Sequence, residues 1–279
     1  MNESAAQLVV LTDLDGSLLD ADTYSYKAAS EALEVIHRKG IPLILVSSKT
    51  RAEIEPLRYQ LKHRGPFVAE NGGGLFIPKG FFDFPLKETV VRGPYQVIEF
   101  GTPYAVVRSA LKEIGQRLGC AVKGFGDMSA EEVARCTGLS QAEAVLAKQR
   151  EYDEPFIIDR PGTCLEEIRH EAEARGLVCV RGGRFQHLSG PTDKGQACRY
   201  LIDCFRRQPA SRRTGLRTIG IGDTLNDLPM LMSVDQAVLV QRPDGSYDPE
   251  VDVPALLRAP GIGPVGWNRA LLDLLNCDS

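Results

Sequence analysis

Asp13 and Asp15 stand two residues apart, with Gly16 behind them, at the end of the apolar run QLVVLT. Carboxyl groups at that spacing divide a displacement reaction between them. One attacks an electrophile such as phosphorus; the other lies beside the leaving oxygen, protonates it, and later takes a proton from water. Three more polar groups close or follow apolar runs elsewhere. Ser47 and Ser48 end IPLILV, Lys194 follows PTD at the head of an amphipathic stretch, and Asp223, Asn226 and Asp227 follow LRTIGIG. Brought together, the four carboxylates repel one another unless a cation sits among them. No histidine or cysteine neighbours them, so the expected cation is hard and oxygen-seeking, and Mg²⁺ is the natural choice. Such an ion screens an anionic substrate and polarises a phosphoryl oxygen. Lys194 and Ser47 would add charge and hydrogen bonds for the transferring group. Gly16 lets the backbone turn sharply towards the ligand.

Elements that could position these residues are legible in the apolar pattern. The first 75 residues read β-α-β-α-β, with strands in QLVVLT, IPLILV and PFVA separated by amphipathic stretches. Runs apolar at every position suit a parallel strand covered on both faces. The pattern returns late, in LRTIGIG and QAVLVQRP. The fold class expected is α/β, a doubly wound (Rossmann-like) parallel sheet, whose ligands gather beyond the carboxyl ends of the strands. Residues 84–188 read differently. Strand-like pieces (YQVIEF, EPFIID, LVCVRGG, RFQHLSG) mix with helix-like ones, as in an α+β domain with an antiparallel sheet. The expected organisation is therefore a catalytic domain of residues 1–83 and 189–279 with an inserted domain of residues 84–188.

Bulk properties narrow the partners. The chain has 279 residues, a net charge of −4 and 43% hydrophobic residues. These argue against a nucleic-acid or anionic-membrane binder and leave a small-molecule substrate as the expected partner. No apolar run reaches the roughly 18–20 residues of a membrane span. The opening MNESAAQ lacks the features of a secretory signal. Seven cysteines without zinc-site spacing read as reduced thiols, and the expected location is the cytoplasm. His37, His63 and His170 sit in charged runs and read as solvated; Trp267 reads as a packing anchor for a final helix.

DLDG at 13–16, the strand-ending Ser47, Lys194, and GDTLND at 222–227 resemble, in type and order, the four motifs of the haloacid dehalogenase superfamily. The resemblance implies Asp13 as nucleophile and Asp15 as general acid and base. It implies Mg²⁺ held by Asp13, the Asp15 main-chain carbonyl and Asp223, with Asn226 and Asp227 supporting the metal or orienting Lys194. Ser17 stands where many members carry threonine. An insertion between the third strand and the lysine helix resembles the α/β (C2-type) caps of the sugar-phosphatase branch. LVSSKTRAEIE, AENGGGLF, REYDEPF, GGRFQHL and DKGQA are similar to stretches of the mannosyl-3-phosphoglycerate phosphatases. That implies hydrolysis of 2-O-mannosyl-3-phosphoglycerate to mannosylglycerate, a compatible solute, and phosphate.

Such a substrate carries a carboxylate and a sugar. Arginine suits a planar carboxylate, which makes Arg150 and Arg184, with His187, the candidates. Glu151 and either Asp153 or Glu154 could accept from sugar hydroxyls. Gly16, Ser48, Lys49, Arg51, Glu70, Asn71, Gly72 and Gly73 could line the core side of the cleft. The motifs are shared by phosphatases for glucosyl-3-phosphoglycerate, hexose phosphate or sucrose phosphate. A phosphotransferase of the phosphomannomutase kind would hand the phosphate to a sugar instead of water. Either a monomer or a homodimer fits the sequence.

Overall fold

The larger sheet grows from the apolar runs of both chain ends. The computed structural model describes residues 6–158, 161–181 and 185–276. The first part supplies β1 (Gln7–Thr12), α1 (Ser30–Lys39), β2 (Leu43–Val46), α2 (Arg51–Gln60), β3 (Phe67–Ala69) and β4 (Gly74–Pro78). Next come β5 (Val90–Arg92) and β6 (Tyr95–Glu99). The inserted segment holds α3 (Tyr104–Leu118), β7 (Val122–Gly124), α4 (Ala130–Thr137), α5 (Gln141–Ala147) and β8 (Asp153–Ile158). It continues through α6 (Pro161–Glu173), β9 (Val178–Arg181) and β10 (Gln186–Ser189). The chain then returns with α7 (Lys194–Arg207), α8 (Pro209–Thr214), β11 (Leu216–Gly222), α9 (Leu228–Leu231) and β12 (Gln236–Gln241). It ends with β13 (Leu257–Ile262) and α10 (Pro264–Asn276).

Nine strands form one sheet in the order β13-β12-β11-β1-β2-β3-β4-β6-β5. Pairing is parallel from β13 to β3, and β4, β6 and β5 add an antiparallel extension. Thr12 of β1 lies opposite Ile221 of β11 and Leu45 of β2, so the residues that follow these strands emerge at one rim. Both faces are covered: Val10, Phe67, Ile219 and Trp267 belong to one buried cluster, and Val9, Leu11, Leu201 and Phe205 to the other. Pro260 lies in β13, an edge strand, where a missing N–H costs no ladder bond. No described helix is long and apolar enough to cross a membrane.

A second sheet, β7-β8-β10-β9, is antiparallel throughout. The side chains of α3 and α6 share a buried cluster with Phe156 and Leu188 of this sheet. The strand YQVIEF, read from sequence as part of the inserted unit, instead pairs with β4 in the larger sheet. Alternating apolar residues set a strand but not its partner, and the backbone of β4 was the nearest open edge. Strands β5 and β7, of three residues each, were too short to show a period.

Two further expectations are corrected. Cys120 and Cys164 are joined in a disulfide across a Cα–Cα distance of 6.3 Å, where α3 and α6 pack together, so the expectation of reduced thiols fails for this pair. His63 is not a solvated residue. Its Nε2 lies 2.7 Å from the Leu43 carbonyl, and its Nδ1 accepts from Arg58 Nε at 3.0 Å. Arg58 also donates to Tyr95 and to the Gly65 carbonyl, which closes a network spanning β2, α2 and β6.

Candidate active site

The extended hydrogen-bond ladder of β1 continues one residue past the strand, where Asp13 N donates to the Ile221 carbonyl at 2.9 Å. The carbonyl of Asp13 accepts from the Thr12 hydroxyl at 2.7 Å, and that hydroxyl in turn accepts from Trp267 Nε1 at 2.9 Å. Trp267 thus anchors more than the last helix: it fixes the backbone at Asp13. Asp193 caps α7 by accepting from Gln196 N, which makes Lys194 the first helical residue and turns its side chain under the rim. Lys194 is 2% exposed and donates to Asp13 Oδ1 and Asp227 Oδ1, each at 2.6 Å. Burial works against its ammonium, but the two carboxylates overcome that and push its pKa up. Asp227 Oδ2 accepts from the N–H groups of Asp223 and Thr224, so one carboxylate shapes the loop and orients the lysine.

Asp13, Asp223 and Asp227 are buried, with oxygen atoms within 4.8 Å of one another. Burial, only partly offset by Lys194, pushes Asp13 up to about 7. Burial and the neighbouring Asp13 and Asp227 push Asp223 up to about 9. Gly16 has φ +83°, and a side chain there would stand 2.5 Å from Asp223 Oδ2. Ser17 Oγ reaches Asp223 Oδ1 at 3.5 Å. Asp15 Oδ2 pairs with Lys49 Nζ at 2.9 Å, while its Oδ1 is buried without a hydrogen-bond partner. Crowded carboxylates that resist ionisation, with an unsatisfied oxygen beside them and oxygen donors throughout, fit a hard divalent cation.

Other expected residues fall around this centre. Ser47 is buried and its Oγ accepts from Lys49 N; the cap of α2 is Thr50, in a capping box with Glu53. The turn after β3 places Glu70, Asn71 and Gly72 all at positive φ. A side chain at Gly72 would run into the Asp193 carbonyl beneath Lys194, so only glycine lets the two segments meet. Asn226 does not join the carboxylates. It is exposed and donates to Asn71 Oδ1, tying two loops of the rim. Glu70 is turned to the inserted segment, where it accepts from the N–H groups of Glu151, Tyr152 and Asp153, each at 2.8 Å.

A cavity of about 360 Å³ opens between the rim and the inserted segment. Asp15, Tyr24, Ser48, Lys49 and Glu53 line it from the core. Arg150 and His187 line it from above, among Phe125, Leu139, Ala147, Pro155 and Phe185. Arg150 donates to the Ser48 carbonyl and to Asp153, and His187 Nδ1 lies 2.8 Å from the same Asp153 carboxylate. Burial resists ionisation of Asp153, but His187 and Arg150 outweigh it and hold its pKa down. Glu151 is not among the lining residues; Arg51 and Arg92 hold it at the side of the cleft. Glu154 is taken by Tyr104, Arg108 and Gly126 N within the inserted segment. Arg184, with Gly182 and Gly183, lies outside the described residues. Sequence reading missed Tyr24, Phe125, Leu139 and Phe185. Tyr24 has φ +55°, rare for a bulky residue, but no sequence sign marks that conformation.

Residues 10–80 match the haloacid dehalogenase-like hydrolase family model. The glucosyl-3-phosphoglycerate/mannosyl-3-phosphoglycerate phosphatase of Methanococcoides burtonii is 47% identical over 267 residues, covering 96% of this chain and 97% of that protein. The mannosyl-3-phosphoglycerate phosphatase of Pyrococcus furiosus is 36% identical over 83% of this chain and 90% of its own length. The fold is shared with the sucrose-phosphatase of Synechocystis sp. PCC6803, solved with sucrose and phosphate, at a TM-score of 0.59 and 15% identity, over 96% of this chain and 98% of that one. A haloacid dehalogenase-like hydrolase from Bacteroides thetaiotaomicron superposes at 0.63 with 19% identity, over 96% and 99%. Identity sustained along nearly the whole chain, with the DLDG, serine, lysine and GDTLND residues meeting at one rim, settles the kinship: the chain belongs to the haloacid dehalogenase-like hydrolases, in the family of the glucosyl-3-phosphoglycerate/mannosyl-3-phosphoglycerate phosphatases.

Proposed function

We propose that the protein removes phosphate from glycosyl-3-phosphoglycerates, the mannosyl ester among them, through an aspartyl-phosphate at Asp13. The observation that carries this reading is the Lys194 bridge between Asp13 and Asp227, set beside Asp15, which lines the cleft under the inserted segment. Lys194 engages Asp13 Oδ1, which leaves Oδ2 the oxygen free of that bond to attack phosphorus. A bond forms between Asp13 and phosphorus as the bond to the glycerate oxygen breaks. Asp15 delivers its proton to that leaving oxygen, then takes one from the water that cleaves the aspartyl-phosphate. Ser47 and Lys194 hold phosphoryl oxygens. Mg²⁺ would be held by Asp13, Asp223 and the Asp15 carbonyl with Asp227 behind them, and when bound it supplies the positive charge that lets a dianionic ester approach these carboxylates.

The segment between β6 and α7 acts as the cap. Thr50 Oγ1 donates to the Leu146 carbonyl and Arg150 to the Ser48 carbonyl, and both bonds join cap to core above the site. Closure excludes bulk water during transfer, and opening releases product. Lys49 gives the core side of the cleft the cation that a glycerate carboxylate needs, while Arg150 and His187, both held by Asp153, frame the cleft from above.

Phosphate release from a panel of esters, with and without Mg²⁺, tests the proposal. The expected result is a strong preference for mannosyl- and glucosyl-3-phosphoglycerate that chelation abolishes. Equal turnover of hexose or sucrose phosphates would replace it with a general sugar phosphatase, and transfer of phosphate to added sugar instead of water with a mutase.

A further inference from the structure

We infer that Phe125, Phe185 and Leu139 of the cap form the apolar platform on which the sugar ring of the substrate rests, so that the enzyme reads a pyranose by its face. The inference deepens the proposed function and rests on it. The two walls of the cleft differ in kind. On the core wall stand the Asp15–Lys49 ion pair, the charged Glu53, the polar Ser48 and the ring of Tyr24. On the cap wall the charged groups are already engaged. Arg150 is taken up by the carbonyls of Ala147 and Ser48 and by Asp153, and Asp153 also holds His187. Around them stand Phe125, Leu139, Ala147, Pro155 and Phe185, with Thr137 the one hydroxyl among them. Phe125 and Phe185 meet edge to face, with ring centroids 4.9 Å apart. Phe125 is buried in the small cap cluster, which fixes the pair, whereas Phe185 is only partly covered and keeps surface for a ligand.

Geometry assigns the occupant. With the phosphate at Asp13 and the glycerate carboxylate against Lys49, the glycosyl group has the cap wall left to it. A pyranose carries hydroxyls at its edge and C–H groups on its faces. Aromatic and aliphatic side chains bury those faces, and a few placed polar groups set the orientation. Glucose and mannose differ in the orientation of a single hydroxyl, which changes the buried face little. A platform therefore accepts both sugars, whereas a site built to hydrogen-bond that hydroxyl would reject one of them strongly.

The test compares kcat/KM of wild type, Phe185→Ala, Leu139→Ala and Phe185→Tyr on mannosyl-3-phosphoglycerate, glucosyl-3-phosphoglycerate and sugar-free 3-phosphoglycerate. Both alanine variants should lose roughly tenfold more on the two glycosyl esters than on the sugar-free ester, chiefly through KM, and to the same extent for both sugars. Phe185→Tyr should restore both. An equal loss on all three esters, no loss on the glycosyl esters, or a loss confined to one sugar overturns the platform. Because Leu139 lies in a different stretch of the cap from Phe185, failure of one variant to fold leaves the other to decide. Wild-type protein inert towards both glycosyl esters would instead end the functional reading itself.

Discussion

Lys194 shows how much one buried side chain decides. Its ammonium lies against two carboxylates with 2% of its surface exposed, and it sits beside a third in Asp223. Replacing it by methionine should cost about 3–5 kcal/mol of stability in metal-free protein, because breaking a buried pair strands the opposite charge. Urea unfolding with and without Mg²⁺ reads this, and added metal should recover part of the loss. Asp13→Asn should abolish phosphate release while leaving the unfolding midpoint close to wild type; retained turnover would remove Asp13 as nucleophile. The raised carboxyls of Asp13, about 7, and Asp223, about 9, predict proton release when a divalent ion binds. Groups still protonated at pH 7 must shed their protons to ligate. Mg²⁺ affinity should therefore climb with pH towards 9, and calorimetric titration in buffers of different ionisation heat should show net release at pH 7. His63 carries the opposite shift, with burial lowering it from 6.5 to about 4. Below pH 6.5 the unfolded chain takes a proton that the folded imidazole refuses, so stability falls between pH 6.5 and 4. The slope attributable to His63 is at most about 1.4 kcal/mol per pH unit. Subtracting the pH–stability curve of His63→Gln from that of wild type isolates the effect, and parallel curves would exclude it. At this scale the motif residues were legible, because chemistry-bearing side chains at strand ends have few other uses. His63 was not, because its partners are the main-chain carbonyl of Leu43, twenty residues away on β2, and the Arg58 guanidinium that folds back from α2.

Elements explain why the short turn after β3 matters. Glu70 ties the core rim to the opening of β8 by accepting three successive N–H groups. Glu70 is the acceptor that holds all three amides, and each buried donor left without one costs about 1–3 kcal/mol. Glu70→Ala should therefore lower stability by roughly 2–4 kcal/mol, with Glu70→Gln milder because one side-chain oxygen still accepts. Chemical denaturation of the two variants checks the order; an unchanged midpoint for the alanine variant would deny the tie. Sequence reading placed Glu70 in the cleft because it stands beside Asn71 and Gly72 in a polar turn. The left-handed backbone at Glu70 turns its carboxylate elsewhere, and only glycine announces such conformations in a sequence. The strands β1, β2, β11 and β12 were plain in their apolar runs. The pairing of β6 with β4 was not, since a strand's period says nothing of which edge it joins.

The whole molecule closes around a cleft whose two walls come from segments far apart in the chain. The cap is held shut by bonds such as Thr50 to Leu146 and Arg51 to Glu151, and it is stiffened internally by the Cys120–Cys164 link. That link spans 44 residues, and in the chain-entropy account a loop of this size contributes about 4 kcal/mol. Reductant should lower the thermal midpoint, and thiol titration of the denatured, unreduced protein should fall two short of the seven cysteines. Titration of all seven would remove the bridge. Scattered cysteines gave no spacing signal because the pair meets only once α3 and α6 are packed.

The bonds from Trp267 to Thr12 and from Thr12 to the Asp13 carbonyl have an optical consequence. The chain has one tryptophan, wholly shielded from solvent and a single hydroxyl away from the backbone of Asp13, the proposed nucleophile. Its emission comes from one known place, so quenching or a wavelength shift on adding a metal fluoride or vanadate reports charge arriving at Asp13. A stopped-flow trace of the unlabelled enzyme would then time phosphorylation of Asp13 and hydrolysis of the aspartyl-phosphate separately, with the indole as its own clock.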